Sequence, residues 1–202
     1  MFNSPNQHPE LDPLTRTQVL IAMGGTAVFL LGVVKVWIHL DPALPLETHW
    51  SLLHLGLGVG LGLGITIASA AVYQLWPSYR HAADIYLNLV LKPLMWMDLI
   101  WLGLLPGLSE ELLFRGVMLP SLGLNMVGLL VSSLLFGVLH LSGWQQWSYV
   151  VWATIVGLIL GYSAIATGNL LVPVVAHIVT NLMASGSWKL THLSQPSFKS
   201  VE

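Results

Sequence analysis

Long apolar stretches, each close to the length that crosses a bilayer, alternate with short polar breaks along almost the whole chain. A spanning helix needs about 20 mostly apolar residues. Residues 17–40 and 50–75 meet that length, separated by a loop that holds Pro42 and Pro45. Four further spans follow at 94–119, 123–141, 148–166 and 170–188. A kink is expected at Pro106-Gly107 and a tight turn at Gly168-Asn169. Residues 77–92 break the pattern. Arg80, Asp84, Asn88 and Lys92 are each four apart and share one helical face, with Ala82, Ala83, Tyr86, Leu89 and Val90 opposite. That spacing predicts a helix lying at the membrane surface, or a polar-faced start to the third span. Pro93 suits the first turn of the helix that follows. The expected fold class is all-α, a polytopic membrane helix bundle of about six transmembrane helices plus an interfacial amphipathic segment.

Composition agrees. The chain is 55% hydrophobic and 8% charged, with mean hydropathy +0.75, against about 25% charged residues in soluble domains. Too little polar surface is available to coat it against water, so the bilayer is its expected partner. The net charge of -2 and the lack of a basic face argue against nucleic acid. With no cysteine, disulfides, thiolate metal sites and cysteine nucleophiles are excluded. Residues 1–16 are polar, and the apolar run behind them is too long for a signal sequence's core, so it reads as the first transmembrane helix. Arg16, Arg80, Lys92, Lys189 and Lys199 fall on one side of a six-span topology, and the loop at 41–49 carries no Lys or Arg. The positive-inside rule then makes both termini cytoplasmic.

Within the second span, glycines alternate at Gly56, Gly58, Gly60, Gly62 and Gly64. No Lys-Ser/Thr follows, so this is no phosphate loop; small residues four apart favour close helix packing. The tryptophans at 37, 50, 76, 144, 147 and 188 lie near helix ends, as interfacial anchors do. The Gly143–Trp147 segment admits a gating role, but anchoring is the simpler reading.

Ionisable groups inside a bilayer are costly, which makes them functional candidates. Glu110, Glu111 and Arg115 sit on the third span, His140 on the fourth, and His177 and Asn181 on the sixth. Glu111 and Arg115, four apart, pair on one face, while Glu110 points about 100° away and is free to face a cavity. Phe136 precedes His140 by four residues, and His177 precedes Asn181 by four. The expected span boundaries leave His140 nearer the cytoplasmic end than Glu110. A carboxylate, two imidazoles and an amide suit peptide hydrolysis, in which Glu110 and His140 hold and deprotonate water and His177 with Asn181 supplies donors. The alternative is catalytic zinc held by Glu110, His140 and His177 with an open position. Asp98 has no partner that spacing can identify. His39, His49, His54, His81 and His192 read as ordinary helix-end residues.

These residues also carry a family resemblance. Pro106-Gly-Leu-Ser-Glu-Glu-Leu-Leu-Phe-Arg-Gly116, then Phe136 with His140, then His177 with Asn181, resemble in order the three motifs of the CAAX proteases and bacteriocin-processing enzymes. The resemblance covers roughly residues 90–188. It implies an intramembrane endopeptidase in which Glu110 and His140 activate water, His177 and Asn181 stabilise the oxyanion, and Glu111, Arg115 and Phe136 support. It leaves the metal question open between none and Zn2+, and implies a membrane-associated protein or peptide substrate in a bacterial or organellar membrane. The expected organisation is a polar tail (1–16), two N-terminal transmembrane helices (17–79), a protease-like core (80–188) and a second polar tail (189–202). A non-proteolytic adaptor that stabilises partner enzymes is the competing class, and a transporter or channel fits less well because the polar groups are few and clustered.

Overall fold

The computed structural model describes residues 14–41 and 45–193. Most of both polar tails, with Lys199, and Pro42 of the first loop lie outside the described residues. The elements in chain order are α1 (Arg16–Leu40), α2 (Leu52–Leu75), α3 (Pro77–Leu91) and α4 (Asp98–Glu111). A π-helical segment (Leu112–Met118) and α5 (Leu119–Leu122) continue α4, and α6 (Met126–Leu139), a 3-10 turn (Trp144–Gln146), α7 (Trp147–Thr167) and α8 (Leu171–Leu193) complete the set. Among the described residues, the helices long and apolar enough to cross a membrane number four: those at Arg16–Leu40, Leu52–Leu75, Trp144–Thr167 and Leu171–His192. The chain is an integral membrane protein. Its outward side chains on the first two helices are apolar, as lipid requires: Ile21, Val28, Phe29 and Ile67 are all more than two-thirds exposed.

The other two expected spans have a different form. The third is built from α4, the π segment and α5, starting at Asp98 rather than 94. Pro93 therefore lies in the turn between α3 and α4 and not in a first helical turn. Pro106 sits inside α4, but the departure from α geometry falls later, at Leu112–Met118. The fourth span, α6, has 14 residues and a length of about 21 Å at 1.5 Å per residue, less than the roughly 30 Å hydrocarbon core. Its C-cap, His140, therefore lies below the membrane surface if Met126 starts at the opposite one.

Helix ends are capped by local chemistry. Thr15 and Gln18 form a reciprocal capping box at α1, and Asn125 accepts from the backbone N–H groups of Val127 and Gly128 at α6. Gly168 ends α7 at φ +61, a conformation that favours glycine. Asn169 behind it stitches two elements together: its Oδ1 accepts from Leu171 N and His49 N, and its Nδ2 donates to His49 O.

α8 is the central helix, packed on α2, α4 and α7. Close approach depends on missing side chains. A Cβ at Gly58 or Gly62 would meet Val175, Ala176 or Val179 at 2.6–2.8 Å, whereas Gly56, Gly60 and Gly64 face open space. Only one of the two glycine faces of α2 is therefore a packing face. α3 is a separate helix, with Ala82 and Ala83 buried, and its polar Asp84 accepts from the Tyr73 hydroxyl.

Two long-range polar contacts fasten the end of the bundle that holds Arg16 and α3. Arg16 Nε and Nη2 each donate to a carboxylate oxygen of Asp98 at 2.7 Å, which supplies the partner that spacing left unknown. The α3 C-terminus is capped from another helix: Lys189 Nζ donates to the carbonyls of Leu91 and Leu94. α8 thus runs past residue 188, and Lys189, expected in the polar tail, is buried within it.

Candidate active site

The site is assembled where α4, α6 and α8 meet. Glu110 and Glu111 occupy the last turn of α4, directly before the π segment, and Arg115 lies within that segment. π turns are rare and recur at functional sites. Pro120 has no N–H to give the Gly116 carbonyl, and Leu46 N donates to it instead at 2.9 Å.

Glu111 and Arg115 are both fully buried and joined by a 2.7 Å hydrogen bond from Nη1 to Oε1, as their spacing leads one to expect. Arg115 Nη2 also donates to the Gly157 carbonyl at 2.9 Å, and its guanidinium lies 4.4 Å from the centre of the Phe136 ring. Glu111 has a second partner that intrahelical spacing does not reveal. His177 Nδ1 donates to the same Oε1 at 2.8 Å. The carboxylate between Arg115 and His177 therefore fixes the ring of His177 and leaves its Nε2 for the cavity.

Phe136 is the hub of the assembly. Its ring contacts His140 with centroids 4.8 Å apart, His177 at 5.8 Å and Phe114 at 5.4 Å. A Cβ at Gly157 would touch the Phe136 ring and Ser133, so glycine there lets α6 and α7 close around it.

His140 is the C-cap of α6. Its Nδ1 lies 2.9 Å from the Phe136 carbonyl. A carbonyl only accepts, so Nδ1 carries a proton, and whenever the ring is neutral its lone pair is on Nε2. That nitrogen faces Glu110 Oε2 at 4.0 Å, with both side chains less than one-fifth exposed. The two groups thus lie at one depth, in contrast to the offset that the span boundaries suggested. Glu110 Oε2 is buried and makes no hydrogen bond within the chain.

Glu110, His140, His177 and Asn181 all line one small cavity of about 120 Å³. Tyr86 of α3 and Tyr149 of α7 line it as well. Neither tyrosine was a candidate from sequence, because each sits in its helix without a motif to mark it. Tyr149 is held by ring contacts to Tyr79, Tyr86 and His140 at 6.0, 5.1 and 6.1 Å. Burial, with a smaller contribution from Glu110, pushes the Tyr86 phenol up to about 12, so it remains a hydrogen-bond donor near neutral pH. The Trp-rich connection stays peripheral: Trp144 is 87% exposed, and Trp147 packs edge-on against Trp76.

The three residues of the zinc alternative, Glu110, His140 and His177, all line this cavity. His177 donates through Nδ1 to the Glu111 carboxylate, an arrangement that metal-bound imidazoles also use, and keeps its Nε2 for the cavity. Among the described residues, no three His, Asp or Glu side chains are grouped to hold a metal ion.

Comparison with known proteins finds a similarity over the part of the chain that carries this geometry. Residues 92–183 match the family model described as type II CAAX prenyl endopeptidase Rce1-like. That stretch holds every side chain of the motif set. An uncharacterized protein of Bacillus subtilis (strain 168), YpbD, is 33% identical over 95 residues, covering 47% of this chain and 48% of its own length. The chain thus spans about half the length of that curated relative. No solved structure matches it.

Proposed function

We propose that this protein is an intramembrane endopeptidase that uses a water molecule activated between Glu110 and His140. The observation that carries the reading is the facing pair itself. Glu110 Oε2 and His140 Nε2 lie 4.0 Å apart, and an ionised carboxylate and a neutral imidazole nitrogen are both acceptors. A water molecule reconciles them by donating one hydrogen to each, which orients its oxygen lone pair outward for attack.

In the proposed reaction, Glu110 takes a proton as the water oxygen bonds to the scissile carbonyl carbon. The charge moves to the carbonyl oxygen, where Asn181 and the Nε2 of a doubly protonated His177 donate to it. Collapse of the tetrahedral intermediate breaks the C–N bond. The Glu110 proton passes to the leaving nitrogen, giving an acid and an amine. Glu111 and Arg115 act through His177, whose ring they orient, and are positioning residues. The substrate is a membrane-associated protein or peptide, consistent with a site walled by apolar helices.

The test uses purified full-length protein in lipid nanodiscs. Peptide cleavage should be lost in both Glu110→Ala and His140→Ala while their size-exclusion profiles match the parent. Full activity in either variant sinks the mechanism. Glu110→Gln separates proteolysis from an adaptor role: a glutamine keeps the packing and cannot take the proton, so a cellular function that survives it is not catalytic.

A further inference from the structure

A second cavity, of about 220 Å³, lies between α1, α3 and α4. Its outer wall is one stripe of α1: Val19, Ala22, Met23 and Thr26, at the i, i+3, i+4 and i+7 positions of a single helical face. Its inner wall is Tyr86, Val90, Leu102, Pro106 and Glu110, and those same residues wall the catalytic cavity that holds His140, His177 and Asn181. The two spaces therefore meet at the carboxylate that would activate water. α1 is fixed on both sides of this opening. Arg16 clamps its start to Asp98, Val19 is buried with Leu91, Leu94 and Leu99, and Leu30 and Val34 are buried against the π segment. Ala22 and Thr26, between those anchors, are exposed. The groove is thus held open by the fold.

The geometry points to this groove as a specificity subsite that takes one or two bulky apolar side chains of the substrate beside the scissile bond. The assignment rests on the protease reading above. Size and lining identify the occupant. Pockets for whole drug-sized ligands run to about 300–1,000 Å³, and 220 Å³ is too small for one but ample for a leucine or phenylalanine with its neighbour. Val19, Ala22, Met23, Val90 and Leu102 offer no charge and little hydrogen bonding, so they select by apolar volume. The small residue Ala22 leaves that volume free, which makes it the specificity-determining position.

The experiment uses full-length protein in nanodiscs with a terminus-blocked, proteome-derived peptide library, and reads cleavage sites by mass spectrometry. The parent should favour large apolar residues at one position next to the cut. Ala22→Phe fills the groove from an exposed position and should lower cleavage at those sites by about tenfold or more, while sites with glycine or alanine there are spared. Ile21→Phe, on the lipid-facing side of α1, should leave the profile unchanged. In parallel, a photoreactive amino acid at Met23 should cross-link apolar library peptides, and Ala22→Phe should suppress that cross-link. Cleavage with identical profiles in parent and Ala22→Phe, and no cross-link, overturns the subsite and leaves the protease standing. A cross-link that Ala22→Phe suppresses, without cleavage by the parent, overturns the protease and keeps the groove as a peptide site. Neither cleavage nor cross-link overturns both.

Discussion

Glu110 and Glu111 are neighbours with opposite circumstances, and the contrast yields a prediction about each. Glu111 is fully buried, held by Arg115 and His177. Removing Arg115 as Arg115→Met leaves that carboxylate with one partner in a site of low polarity. Breaking a buried ion pair from one side typically costs about 3–5 kcal/mol, so denaturant unfolding in detergent should show a loss of that order. Changing both members, as Glu111→Gln with Arg115→Met, should recover part of it, because no uncompensated charge remains. Glu110 is partly exposed and has no hydrogen bond to lose, and Glu110→Gln should change the same midpoint by less than about 1 kcal/mol. A Glu110→Gln protein as unstable as Arg115→Met would mean that Glu110 is a structural residue, contrary to its proposed role. The division between the two glutamates is legible in sequence because it depends on i, i+4 geometry within one helix. The hydrogen bond between Glu111 and His177 is not, since 66 residues separate them and helical periodicity carries no information across helices. The pair of Arg16 with Asp98, 82 residues apart, is hidden for the same reason.

At the scale of elements, apolar run length locates helices well and their internal geometry badly. α1 and α2 begin and end within two residues of the expected bounds, because a membrane span is dictated by hydrocarbon thickness, and thickness reads directly as a count of apolar residues. The π segment leaves no such mark, since apart from Arg115 and Gly116 its residues are as apolar as those of the α-helices around it. The glycines of α2 show where pattern and packing part. All five suit close packing by type, but successive odd and even members of the set point to opposite sides of the helix. Gly62→Leu would drive a side chain into Ala176 and Val179 of α8, and Gly60→Leu would enter open space. Overpacking costs about 1–3 kcal/mol. We expect Gly62→Leu to lower the thermal unfolding midpoint and to reduce cleavage, because α8 carries His177 and Asn181. Gly60→Leu should match the parent in both. Equal effects at the two positions would contradict the assigned α2–α8 interface, and the measurement is a paired thermal-shift and activity assay in one detergent.

For the whole molecule, the structure gathers charge and chemistry at one end of the bundle. Arg16 with Asp98, the polar face of α3, and Lys189 capping Leu91 and Leu94 all sit there. The opposite end holds the turns at 123–125 and 168–170 and the segment at 45–51, none with a Lys or Arg. Lys35 is the exception, one turn inside that end of α1. Juxtamembrane Lys and Arg bias a loop towards the cytoplasm, so the end that holds Arg16 and α3 is predicted to face it. His140 caps a helix of about 21 Å, and Glu110 and His177 reach it from helices of other lengths, so in the proposed reaction a substrate would bring its scissile bond below the surface on that side. A reporter that fluoresces only in the cytoplasm, fused after residue 202, should be bright, and the same reporter inserted at Gly168-Asn169 should be dark. The reverse pattern would place the site on the other face, and the substrates to be tested would then be those whose peptide bonds enter from outside the cell.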